Sequence, residues 1–152
     1  MDNPLQQFIK RFTEEELIPE EKIVKKGKQY YYVPTHIQEL TVKAKEEPSM
    51  QGMMLGKEHK GIFHASQHLI ELLAKNAKNT ITLNEKAEWL FVCGRDVFAQ
   101  NITTKNITDQ KALLIVKGPQ GDVLGLAKYR REKGADMYKN ITDIGNRLRR
   151  EQ

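Results

Sequence analysis

The chain has 152 residues, 39% of them hydrophobic and 30% charged, with 25 Lys and Arg against 20 Asp and Glu and a formal net charge of +5. Ordinary apolar content excludes a disordered or collagenous chain, and the length suits one or two small domains with modest cores. The single cysteine, Cys93, can form neither an internal disulfide nor a multi-thiolate metal site. With no long apolar run and no basic-then-apolar leader, the expectation is a cytoplasmic protein without a membrane span.

Asp2 or Asn3 can cap a first helix that has Pro4 in its opening turn and Leu5, Phe8, Ile9 and Phe12 at helical spacing, ending near Ile18 before Pro19. Lys22 to Lys26 and Gln29 to Val33 read as a tight hairpin around Gly27 and Lys28. Thr35 with Gln38 forms a capping box for a helix through Ala44, and Lys45 to Ser49 reads as a loop. Met50 to Lys57 and His59 to His64 form a second strand pair. Ser66 caps a helix through Ala77 whose stripe is Leu69, Ile70, Leu72 and Leu73.

Asn76 to Asn79 is a natural boundary, so the expected domains are 1–78 and 79–152. Beyond it, Thr80 to Leu83, Ala87 to Cys93, Lys111 to Lys117 and Asp122 to Arg130 read as strands. Gly118 to Gly121 turns between the last two, and Arg95 to Gln100 is assigned a short helix. A terminal helix from Thr142 or Asp143 to Arg150 closes the chain with Ile144 and Leu148 inward. The fold class is α+β: an N-terminal α/β domain, then a small mixed β-barrel with short helices.

Charge is unevenly spread. Residues 1–78 carry 12 basic and 11 acidic side chains, and residues 79–152 carry 13 and 9. The stretch from Lys128 to Arg150 alone holds eight basic residues against three acidic ones, an excess equal to the whole formal charge. Lysine and arginine displace counterions from a phosphate backbone, and an aromatic ring offers a stacking face to an unpaired base. Lys128, Arg130, Arg131, Lys133, Lys139, Arg147, Arg149 and Arg150, with Tyr129 and Tyr138 between them, are therefore the candidate nucleic-acid-binding residues. A solvated chain end is the competing reading.

Patterns that carry catalysis fail on inspection. His64 and His68 have the spacing of two imidazoles on one helical face, but a zinc peptidase needs Glu beside the first, where Ala65 stands. These two and His59 read as surface or partly buried residues. Leu55-Gly56-Lys57 lacks both the glycine spacing and the hydroxyl residue of a phosphate-binding loop. Gly118 to Gly121 imitates the clamp of a KH domain but joins strands. Cys93 has no base singled out beside it and reads as a buried small hydrophobe at a strand end, and Tyr30 to Tyr32 read as sheet packing. Asn101, Asn106 and Asn140 head glycosylation sequons, which an unsecreted chain would not use. No catalytic residue, metal site or cofactor is expected, and the protein is read as a non-enzyme.

The run from Ala87 to Asp96, then Ala112 to Val116, then Gly121 to Ala127, resembles a PUA domain. The ending from Met137 to Arg150 resembles archaeal ribosome-biogenesis proteins of the Nip-seven type, and Tyr31-Tyr32-Val33, Leu55-Gly56 and Lys60-Gly61 are similar to that family's N-terminal domain. The resemblance implies a non-catalytic, two-domain factor in ribosome biogenesis and rRNA processing. Its partners would be RNA (rRNA or pre-rRNA, with tRNA as a further candidate) and ribosome-assembly or RNA-processing proteins. Lys139 matches a basic position of that family, whereas Ala135 and Asp136 stand where it has a basic pair, and Thr142 replaces a later one. Two other functions fit the same residues: an RNA-binding accessory subunit of a tRNA-modifying enzyme, and a protein-interaction module without strong RNA affinity.

Overall fold

A computed structural model describes residues 3–35, 38–39 and 53–145. The chain divides into two compact units, Met1–Leu73 and Ala74–Gln152.

In the first unit the Asn3 side chain accepts the Gln6 N–H at 2.9 Å and starts helix α1, Pro4–Lys10, which buries Leu5, Phe8 and Ile9. It stops well short of the expected Ile18. Glu14, Glu15 and Glu16 would place three carboxylates at a helix C-terminus, where the dipole repels them. Phe12 and Ile18 are buried from irregular backbone instead. Strands β1 (Ile23–Lys26) and β2 (Gln29–Tyr32) form the expected hairpin, and β3 (Met53–His59) and β4 (Ile62–Ala65) the second pair, with its turn at Lys60 and Gly61. The antiparallel sheet runs β1-β2-β3-β4.

Phe63 joins helix to sheet, its ring lying 5.1 Å from Phe8 and 5.8 Å from Tyr30. His64 is therefore a strand residue and shares no helix with His68, which dissolves the spacing argument for that pair. Ser66 Oγ accepts the Leu69 N–H at 3.2 Å and opens α2, Gln67–Ala74, three residues shorter than expected. The Gln38 amide donates to Glu21 O at 2.7 Å and Val33 O at 2.8 Å, tying a helical start at Thr35 to the first hairpin. The rest of that helix and the loop at Lys45 to Ser49 lie outside the described residues.

Tyr30 is fully buried and donates its phenol hydrogen to Glu58 Oε1 at 3.0 Å; burial first and that carboxylate second push its pKa up to about 12. A phenol whose pKa is raised by folding stabilises fully below its unfolded value near 10 and loses that contribution as pH rises through about 12. The unfolding free energy of the wild type, from denaturant titrations, is expected to fall across this window by an amount on the order of 1–2 kcal/mol. The Tyr30→Phe variant should show a flatter profile. Superimposable pH profiles for the two proteins would remove Tyr30 as the cause.

The second unit contains β5 (Thr80–Leu83), α3 (Glu85–Val92), β6 (Val97–Phe98), a 3-10 turn (Ala99–Asn101), β7 (Ile102–Asn106), β8 (Leu113–Lys117), β9 (Val123–Glu132) and β10 (Ala135–Asp143). Its six-stranded sheet runs β6-β10-β9-β8-β5-β7, with β5 and β8 parallel and the other pairs antiparallel. Ile81, Leu83, Phe91, Val97, Leu114, Val116 and Tyr138 are among its core residues.

Several elements of this unit differ from those expected. Ala87 to Cys93 is a helix, because Asn84 accepts the Ala87 N–H at 2.8 Å, Glu85 and Glu88 suit the first turn, and Ala87 and Phe91 reach the core at a spacing of four. Cys93 consequently sits at the exposed end of a helix and is not a buried strand residue. Arg95 to Gln100 yields β6 and part of the 3-10 turn instead of an α-helix. Strands β7 and β10 lie outside the expected strands, and Thr142 and Asp143 end β10 instead of starting the terminal helix. The turn at Gly118 to Gly121 stands as expected, its Gly121 N–H bonded to Gly118 O at 2.9 Å. No helix among the described residues is long and apolar enough to cross a membrane.

Candidate nucleic-acid interface

The basic stretch folds back on itself as the β9–β10 hairpin. Lys133 (φ 51°) and Gly134 (φ 79°) form its two-residue turn, and two successive positive φ values give the twist that such a turn requires. Pairing then runs Glu132 to Ala135, Arg131 to Asp136, Arg130 to Met137, Tyr129 to Tyr138 and Lys128 to Lys139. Directly opposed residues share a face, so this register sorts the candidates into two groups.

The inner group holds Tyr129, Tyr138, Arg131 and Asp136. Tyr138 is 1% exposed, in the core, and half-buried Tyr129 packs edge-on against it at 5.6 Å. Tyr138 is thus corrected from a stacking candidate to a packing residue, since neither side of its ring is open to a base. The Tyr129 phenol donates to Asp136 Oδ1 at 2.6 Å, and that bond, then burial, raises its pKa. Arg131 meets the same Asp136 oxygen at 3.2 Å and donates to Gly134 O at 3.3 Å. Asp136 therefore offsets one of the cations that the sequence counts as free.

The outer group is Lys128, Arg130, Met137 and Lys139, with exposed Lys133 at the tip. Lys128 stands directly across from Lys139, a like-charge pairing that costs stability in the absence of an anion. Neither lysine has an ion-pair partner among the described residues, while Arg130 approaches Glu132 at 3.8 Å on the exposed surface. Strand β6 extends this face, because Phe98 pairs with Met137 as Val97 pairs with Tyr138. Val97 is buried and Phe98 exposed. Arg147, Arg149 and Arg150 lie outside the described residues.

Asn140 holds the base of the hairpin. Its N–H donates to Asp96 Oδ1 at 2.8 Å, and its side-chain amide donates to Phe91 O at 2.9 Å and Asp143 Oδ2 at 3.1 Å. The residue that heads a sequon is therefore engaged in the fold. Among the described residues no group of three or more His, Cys, Asp or Glu could hold a metal ion.

Residues 79–152 match the family described as the UPF0113 PUA domain. The C-terminal unit has the PUA fold. The curated proteins include a UPF0113 protein of Archaeoglobus fulgidus that is 27% identical over 88 residues, covering 53% of this chain and 51% of that protein. The chain thus spans about half the length of the curated relative it matches. A solved PUA domain protein from Thermoplasma acidophilum is 20% identical, with a TM-score of 0.44 over 62% of this chain and 69% of that one. PUA domains are generally RNA-binding modules. The sequence alone does not single out Phe98 and Met137, because nothing short of strand pairing places them on the face of Lys128, Arg130 and Lys139.

Proposed function

We propose that this chain is a non-catalytic RNA-binding protein that holds the phosphate backbone on the outer face of β9 and β10 and serves ribosome assembly or rRNA processing. The observation that carries the reading is the pairing of Lys128 with Lys139 beside Arg130 on one exposed face. Three cations gathered there, two of them opposed without an ion-pair partner among the described residues, form an arrangement that phosphate oxygens relieve. The resemblance of the chain's ending to Nip-seven-type proteins supports the ribosomal context, and Arg147, Arg149 and Arg150 add charge to the same domain.

The test is binding of a U-rich single strand across a salt series. Replacing Lys128, Arg130 and Lys139 together by Ala should weaken binding roughly tenfold or more and reduce the slope of log affinity against log salt by about 2. In the same assay Asp136→Asn, which frees Arg131, should strengthen binding and steepen the slope. Unchanged affinity and slope in the triple variant would end the proposal.

A second reading, a protein-interaction module, is favoured by Trp89, which is 68% exposed on α3. Capture of a protein partner that Trp89→Ala abolishes, with no RNA bound at physiological salt, would favour it. Recovery of the chain with a tRNA-modifying enzyme and not with rRNA precursors would instead identify an accessory subunit.

A further inference from the structure

We infer that Phe98 is the seat for an unpaired base of single-stranded RNA, stacked on its phenyl ring while the flanking phosphates rest on Arg130, Lys139 and Lys128; the inference rests on the RNA-binding reading above. Strand β6 is two residues long and lies at the edge of its sheet. Val97 sends its side chain into the core, so Phe98 must point the other way, and it is 43% exposed. Sheet edges usually carry charged or polar side chains, and Phe98 with half-buried Met137 opposite it is an apolar exception on this face.

The neighbours of Phe98 specify the chemistry of that partner. Met137 is directly opposite on β10, and Arg130 is the next residue across on β9. Strands lie about 5 Å apart, which sets Arg130 roughly 10 Å from Phe98, with Lys139 one diagonal step along β10. An aromatic ring with a thioether beside it and three cations on the neighbouring strands, set against the carboxylate of Asp96 that the Asn140 N–H engages, matches a flat, π-faced group carried on an anionic chain. An apolar protein segment would match the ring and leave the cations unanswered. A duplex would match the cations but keeps its base faces stacked internally, so the ring selects unpaired nucleotides. Stacking is tolerant of base identity, and no strong sequence preference is expected.

The experiment uses the full chain with two labelled RNAs of equal length, one a U-rich single strand and one a stable duplex. Phe98→Ala should lose roughly tenfold in affinity for the single strand, keep the wild-type salt slope, and bind the duplex unchanged. Phe98 is exposed, so the variant should retain the wild-type unfolding midpoint. Phe98→Trp in a Trp89→Phe background should keep the affinity, and emission from the introduced indole should be quenched by the single strand and not by the duplex. Wild-type affinity in Phe98→Ala, equal losses on both RNAs, or unquenched emission would each overturn the assignment while leaving the phosphate face intact. If the triple Lys128, Arg130 and Lys139 variant also binds like wild type, the RNA-binding reading falls and this inference falls with it.

Discussion

Gly125→Ala is expected to destabilise the C-terminal unit by about 3–5 kcal/mol, a large share of the stability of a small domain. Gly125 lies in β9 with φ +155°, and a Cβ added there would stand 2.0 Å from Thr142 O and 2.9 Å from Asp143 Cα. Both obstacles are backbone, so no side-chain rotation relieves them. They lie where the register of β10 shifts between Asn140 and Thr142, a bulge that sets the Thr142 carbonyl against Gly125. Gly121→Ala is the control, since its φ is +88° but nothing lies within 4 Å of the added carbon. That change should cost about 1 kcal/mol or somewhat more, from backbone strain alone. Urea unfolding followed by circular dichroism would compare them. Equal losses in the two variants would show that close approach at Gly125 contributes nothing.

Asn140→Ala should cost about 2–4 kcal/mol. One amide group reaches the carbonyl of Phe91, at the end of α3, and the carboxylate of Asp143, which is 6% exposed. Removing it takes a donor from a buried anion and loosens the helix from the strand that carries Lys139. Asn140→Asp should be worse at neutral pH, because it adds a second carboxylate beside Asp143 and converts a donor into an acceptor. The deficit of Asn140→Asp relative to Asn140→Ala should shrink as the solution is acidified. Thermal melts at two pH values would measure this, and an Asn140→Ala melt matching wild type would refute the structural role.

Strong local patterns were legible in the sequence. Asn3 with Pro4, the runs flanking Gly27, Ser66, Thr80 to Leu83 and the turn at Gly118 to Gly121 each carry their own signal within a few residues. Ala87 to Cys93 misled because Trp89, Leu90, Phe91 and Val92 favour strands, while the Asn84 cap lies upstream of the run and only Ala87 and Phe91 needed a core. Strand β10 was illegible for another reason. Tyr138 is its one large apolar residue facing inward, and polar neighbours such as Lys139 and Asn140 hide the alternation. The positive φ values of Lys133 and Gly134 mark a hairpin that a Lys-Gly pair between two β-prone runs could have announced.

By itself the sequence determined the amount and position of charge, an excess gathered from Lys128 onward, and the residue types open to an RNA partner. Those are properties of order along the chain. Which charges act together was decided by pairing across strands. Antiparallel register put Lys128 against Lys139, gave Arg131 to Asp136, buried Tyr138 and brought Phe98 from more than thirty residues upstream onto the same face as Arg130. A side chain's access to a phosphate or a base depends on the face it occupies, and a face is set by hydrogen-bonded neighbours that lie far away along the chain.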